Sequence, residues 1–210
     1  MTILQANHRD EIDAIRARYT SPRSATLPLL YLAQDVYGHL SSEAIREVAE
    51  ILDLPPTDVF EVVGFYTLYY SQPVGTWMIQ VCDDVPCCYL GAEELVEALT
   101  HVLGVGEDQL TADGMFTVQR VKCLAACDRA PVVQANLDYL YDVTADKAEA
   151  LLADLRARAA DGKKRGVSGR FAEDFEVGSG GKLTHVSREE PYRARQFDSP
   201  SAGPSRGTKG

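Results

Sequence analysis

All five cysteines of the chain fall in two short windows, Cys82-Asp83-Asp84-Val85-Pro86-Cys87-Cys88 and Cys123-Leu124-Ala125-Ala126-Cys127. No other feature restricts the possible folds as much. Each window opens where a strand pattern ends. Trp77, Ile79 and Val81 alternate with Met78 and Gln80 just ahead of Cys82, and Phe116 to Lys122 forms a second strand pattern ahead of Cys123. A strand holds one thiol rigidly at its end, and the loop that follows curls back to present the next. Two such loops at one edge of a sheet bring four thiolates to a single site.

The rest of the chain decides what such a set is for. No apolar run approaches the roughly 20 residues that span a bilayer, and His8, Arg9, Asp10 and Glu11 arrive too early for a secretory leader. The expectation is a soluble, cytoplasmic protein with no membrane insertion of its own. In a reducing compartment patterned cysteines point to metal binding or redox chemistry, and an odd number of them suits a disulfide framework poorly. The net charge is −10, and residues 161–210 carry 10 basic and 7 acidic side chains, so the acid is concentrated in the body. An acidic body argues against nucleic acid as a partner, since phosphates require a basic face.

Four cysteine thiolates are the usual ligand set of a [2Fe–2S] cluster. Zinc is the nearest competitor, because four cysteines also bind it tetrahedrally. The spacings Cys82-x4-Cys87 and Cys123-x3-Cys127 permit zinc but are more typical of a wider cluster. A dithiol oxidoreductase would need C-x-x-C after the first strand, and the sequence has none. Packing as small hydrophobes is the plainest alternative for cysteine, but the grouping into two loops disfavours it. On spacing alone Cys87 and Cys88 are rivals for the second position.

Residues 1–72 read as a helical domain. Ile12, Ile15 and Tyr19 share one helical face, Ala25 to Tyr37 is apolar enough for a buried helix ending near Gly38, and Ile45, Val48, Ala49 and Leu52 follow an i, i+3, i+4, i+7 pattern. Pro55-Pro56 stops one helix and opens another through Val59, Phe60 and Val63 toward Phe65-Tyr66. Residues 73–160 read as strand, helix (Glu93 to Leu103, with Leu95, Leu99 and Val102 on one face), strand, hairpin around Ala135-Asn136-Leu137-Asp138, and a last helix from Ala145 to Ala159. That order describes a small α/β domain, so the whole is α+β. After Ala160 periodicity is lost and Gly, Ser and charge dominate, so 161–210 is expected to be a disordered tail.

With these residues in view, the chain resembles the 24-kDa subunits of respiratory complex I, the NADH:quinone oxidoreductase, over about residues 8 to 158. The resemblance is carried by Val81-Cys82-x4-Cys87 with Gly91 beyond it, Phe116-x-Val118 leading to Cys123-Leu124-x-x-Cys127, Val62-Val63-Gly64-Phe65-Tyr66-Thr67, and Pro73-Val74-Gly75. It implies an N-terminal helical bundle followed by a thioredoxin-like domain, with Cys82, Cys87, Cys123 and Cys127 holding one [2Fe–2S] cluster. The family spacing Cys87-x3-Gly91 selects Cys87 over Cys88.

It also implies an electron-transfer role. A partner subunit carries FMN and NADH and passes electrons singly to this chain, which itself shows no G-x-G-x-x-G dinucleotide fingerprint. The resemblance implies a place on the inner face of the plasma membrane, through the complex. The same module occurs in NAD-linked hydrogenases and formate dehydrogenases, so those assemblies stay open. Two ferric irons, two sulfides and four thiolates sum to −2, and reduction makes −3, so nearby cations would help. Arg120, Lys122 and Arg129 are the candidates. Tyr66, Tyr69 and Tyr70 are candidates for a partner interface or for packing between the two domains. The histidines His8, His39, His101 and His185 are scattered and suggest no catalytic group.

Overall fold

The structure is a computed structural model. It describes residues 3–160 and the two-residue strand Arg195–Gln196. The expected tail, 161–210, otherwise lies outside the described residues. The chain divides into two compact units, one within Met1–Thr76 and the other beginning at Trp77.

The first unit is helical: α1 (Ile3–Asn7), α2 (Arg9–Arg16), a 3-10 turn at Pro22–Ala25, α3 (Thr26–Tyr37), α4 (Ser42–Leu52) and α5 (Pro56–Phe65). Ile45, Val48, Ala49 and Leu52 are all buried, and they pack with Leu29, Leu30, Val59 and Val63. Gly38 ends α3 at φ +78°, a left-handed stop that suits glycine, and the Ser41 hydroxyl accepts from the Ala44 N–H to start α4. Helix α2 stops at Arg16, so Tyr19 lies beyond it and is exposed. The N–H groups of Arg18 and Tyr19 turn to acceptors only three residues back, at Ile15 and Arg16. The chain thus tightens out of the helix before Pro22.

Two buried polar groups fasten this unit. The Gln34 amide donates to the Leu68 carbonyl at 2.9 Å and accepts from the Tyr70 N–H at 2.7 Å, pinning the segment after α5. Tyr37 donates to Glu47 at 2.5 Å, and burial together with that carboxylate pushes its phenol up to about 12. Tyr69 is buried within the unit's core and donates to the Leu27 carbonyl, whereas Tyr66 is exposed. Of the three tyrosines considered for an interface, Tyr69 is therefore part of the helical core.

The second unit is a mixed sheet with helices. Its elements are β1 (Trp77–Cys82), α6 (Val85–Tyr89), α7 (Ala92–Leu103), β2 (Phe116–Val121), β3 (Val133–Ala135), β4 (Asp138–Tyr141) and α8 (Ala148–Ala160, preceded by a 3-10 turn at Ala145–Lys147). The order across the sheet is β2-β1-β3-β4-β5, where β5 is Arg195–Gln196, parallel to β4. Strands β1 and β2 are parallel neighbours joined through α7, and β3 and β4 form the expected hairpin. Trp77, Ile79, Val81, Phe116 and Val118 form one core with Leu95, Leu99, Leu151 and Leu155. The Trp77 indole also donates to the Leu155 carbonyl at 2.8 Å.

Two details differ from the alternation and helical faces read above. Strand β1 is buried along its full length, Met78 and Gln80 included. Alternation in hydropathy does not reveal such burial when the second face carries a glutamine whose amide is satisfied, here by Gln119 at 3.0 Å. On α7 the buried stripe is Ala92, Leu95, Val96 and Leu99, then the partly buried Leu103, while Val102 is exposed. Leu103 follows Leu99 by four residues and takes the inward place in the last turn.

The Asp113-Gly114 turn carries an acid-sensitive contact. Hydrogen bonds from Thr111, Arg156 and the Met115 N–H hold the Asp113 carboxyl well below the usual carboxylate range. A folded-state pKa below the unfolded value adds stability above about pH 4 that is lost as pH falls. Asp113→Asn is therefore expected to lower stability at neutral pH while reducing the stability lost between pH 7 and pH 3. Urea unfolding at both pH values reads this directly.

Among the described residues no helix is long and apolar enough to cross a membrane.

Candidate metal centre

Cys82 is the last residue of β1 and lies opposite Val121, the last residue of β2, in the parallel ladder. The two cysteine windows thus leave the sheet side by side. The Cys82 N–H donates to the Val132 carbonyl and the Asp83 N–H to the Val121 carbonyl, both at 3.0 Å, so the start of the first loop is tied to two neighbouring segments. Cys82 and Cys87 are both buried in the core cluster, whereas Cys123 and Cys127 are exposed.

The first loop contains a helix that periodicity does not show. Asp84 caps α6, its side chain accepting from the Val85 N–H at 2.9 Å, and Pro86 occupies the first turn. Successive residues on a helix point about 100° apart, and this separates the adjacent thiols. Cys87 turns inward and is 1% exposed. Cys88 turns outward, and its thiol donates to the Asp83 carbonyl at 3.3 Å. Gly91 closes the loop at φ +94° and caps α7, a backbone conformation that side chains rarely adopt.

The second loop is bent by Ala125 at φ +60°. That bend aims the Ala125 N–H at the Cys123 sulfur, 3.4 Å away, and brings the Cys123 and Cys127 sulfurs to 3.8 Å. A tetrahedral thiolate site with metal–sulfur bonds of about 2.3 Å has sulfur–sulfur edges of about 3.8 Å. The pair is therefore spaced like two ligands of one metal ion. Cys87 in turn interacts electrostatically with Cys82 and Cys127. Burial pushes its thiol up to about 12, and the neighbouring sulfurs add to the shift. Cys127 is likewise raised, first by its contact with Cys123. Cys82 acts on both raised thiols and Cys123 on Cys127, so the four sulfurs share one neighbourhood.

Among the described residues no three His, Cys, Asp or Glu side chains converge on a single metal position. A two-iron cluster divides its four cysteines two to each iron, so pairs are the arrangement it requires. The donor set fits such a cluster: four thiols, an inner pair and an outer pair, with a loop N–H already directed at one sulfur. Backbone donors to sulfur are the features that tune such centres.

The three candidate cations are already matched by carboxylates. Arg120 bonds Glu93 and Glu107, Lys122 bonds Asp83 at 3.1 Å, and Arg129 bonds Asp142 at 2.7 Å. They do not stand as free positive charge beside the thiols. The sequence contains those acids, but only the fold brings positions 83, 93, 107 and 142 to them.

Fold and thiol geometry together define a class: proteins with an α/β domain that presents two thiol-bearing loops at the ends of neighbouring parallel strands. Residues 12–156 match the thioredoxin-like [2Fe–2S] ferredoxin family, and the chain belongs to it. The chain is 42% identical over 149 residues to a subunit of the NADH-quinone oxidoreductase of Rhizobium meliloti (strain 1021), covering 71% of this chain and 89% of that one. It is 41% identical to an NADH-quinone oxidoreductase subunit of Thermus thermophilus, covering 74% and 87% of the two chains, respectively. It is 38% identical to a subunit of the NADH-quinone oxidoreductase of Mycobacterium bovis, covering 76% of this chain and 64% of that one. Among solved structures, an NAD+-reducing [NiFe]-hydrogenase in its air-oxidized state has a similar fold, with a TM-score of 0.54 at 24% identity, over 62% of this chain and 23% of that one. The family, the α+β architecture and the family's [2Fe–2S] cofactor agree with the resemblance drawn from the sequence.

Proposed function

We propose that this chain is the electron-transfer subunit of an NADH:quinone oxidoreductase, with one [2Fe–2S] cluster held by Cys82, Cys87, Cys123 and Cys127. The observation that carries the reading is the meeting of the two thiol loops where β1 and β2 end side by side, in a chain whose relatives bear that complex's name. Residues 1–72 serve as a helical domain, 73–160 as the cluster domain and 161–210 as a tail.

When bound, such a cluster supplies a one-electron redox couple. The chain's own residues do the rest. Cys82 and Cys87 would bind from the buried core that they share with Ala126 and Val132. Cys123 and Cys127 bind at the surface, where a partner's redox group can approach. The Ala125 N–H steadies the Cys123 sulfur as negative charge builds. FMN and NADH would be held by the partner subunit, and the flavin there would supply the link between two-electron and one-electron chemistry. The complex holds the chain at the inner face of the plasma membrane.

Anaerobic purification with iron, sulfide and zinc analysis, followed by dithionite reduction and EPR, tests this. About two iron and two sulfide per chain with a reduced-state EPR signal supports it. One zinc without sulfide assigns a structural binding module instead. Co-purification with an FMN-carrying partner of a quinone reductase supports the assembly, whereas a hydrogenase or formate dehydrogenase partner reassigns it.

A further inference from the structure

The loop that carries Cys127 is fastened beside the end of β4. Cys127 opens a 3-10 turn, Cys127–Arg129. The guanidinium of Arg129 donates to Asp142 Oδ2 through Nε at 3.0 Å and Nη2 at 2.7 Å, and it lies 5.3 Å from the Tyr141 ring centroid. The backbone is joined at the same point. The Asp142 N–H donates to the Arg129 carbonyl at 3.0 Å, and the Val143 N–H to the Pro131 carbonyl at 3.1 Å. Asp142 itself sits at φ +54°, and its carbonyl accepts from Lys147 at 2.7 Å. The pair is about two-thirds shielded from solvent. The other charges acting on Arg129 are those of Asp128 and Tyr141.

Arg120 and Lys122 are held by carboxylates from outside the second loop. Arg129 differs from them because it lies inside that loop, two residues after a proposed ligand. Its charge and its grip on the loop therefore act at the same place. We propose that Arg129 and Asp142 form a charge-compensated positioning pair for the outer half of the thiolate site: they hold the Cys127 turn against the end of β4, and they cancel each other's field there. This inference rests on the cluster reading above.

The two roles predict different signatures. Loosening the turn affects both single variants alike. Unmasking a charge does not, because an added electron is disfavoured by a nearby anion and favoured by a nearby cation. In the full-length holoprotein at low ionic strength, Arg129→Gln leaves Asp142 uncompensated and is expected to lower the midpoint potential. Asp142→Asn leaves Arg129 uncompensated and is expected to raise it, and the double variant is expected to return toward the wild-type value. EPR-monitored redox titration reads all three. Amide exchange over residues 127–130 is expected to accelerate in both single variants. Potentials that do not move, or that move the same way in both single variants, overturn the compensation, and unchanged exchange overturns the clamp. If the wild-type protein proves to hold no iron, the cluster reading fails, and exchange in the metal-free chain still decides the clamp.

Discussion

Replacing any one of Cys82, Cys87, Cys123 or Cys127 by serine is expected to reduce iron and sulfide content to a small fraction of the wild-type level, while Cys88→Ser leaves it intact. The reason is chemical as well as geometric. Iron in these clusters is bound by thiolate, and a serine hydroxyl at neutral pH remains protonated and offers a neutral donor. The inner positions are expected to suffer twice. Cys82 and Cys87 are 2% and 1% exposed, so serine there also places a hydroxyl in an apolar core without an evident partner. The outer positions, Cys123 and Cys127, are exposed and should lose the cluster without loss of fold. Cys88 is the control within the loop: its thiol faces the Asp83 carbonyl, and serine can make the same bond. Iron and sulfide analysis of the five purified variants decides the matter. If Cys87→Ser keeps the cluster and Cys88→Ser loses it, the inward turn of α6 has been assigned to the wrong thiol.

The second large effect is on stability. Trp77→Ala is expected to destabilise the α/β unit by about 3–5 kcal/mol, the range for deleting a large aromatic from a core. Trp77 is fully buried, begins β1, packs among Ile79, Leu95, Leu151 and Leu155, and bonds the last helix through its indole. Trp77→Phe keeps most of that contact and is expected to cost less, including about 1 kcal/mol for the lost indole bond. Trp77 is the only tryptophan in the chain, so its substitution removes the fluorescence probe. Urea unfolding followed by far-UV circular dichroism measures both variants. A loss under about 1 kcal/mol for Trp77→Ala, well below the range for a core aromatic, would show that the sheet and α8 are not held through this residue.

Much of this architecture was legible in the residues. The helical periodicity at Ile45, Val48, Ala49 and Leu52, the alternation from Trp77, the Asn136-Leu137 hairpin and the apolar face of the last helix all appear as elements. In each case packing demands a regular spacing, and spacing is what a sequence displays. The loops were harder. Helix α6 has five residues, too few for a period. Its start signals, Asp84 as cap and Pro86 in the first turn, were present, but they are intelligible only once a helix is suspected. The separation of Cys87 from Cys88 depends on that helix, and without it the two thiols are equivalent by position. The ion pairs of Arg120, Lys122 and Arg129 were also out of reach. Their partners lie up to 39 residues away, and nothing local to the cysteines marks them.

The parallel pairing of β1 with β2 has a consequence for how this chain matures. Cys82 and Cys87 lie on one side of the α7 crossover, and Cys123 and Cys127 lie on the other. An unfolded chain can offer an inserting cofactor one pair or the other, while the full set of four exists only after two strands distant in sequence have found each other. Contacts of that kind form late, because the intervening loop must be closed first. A cluster held by all four of these cysteines would therefore report that β1 and β2 have already paired.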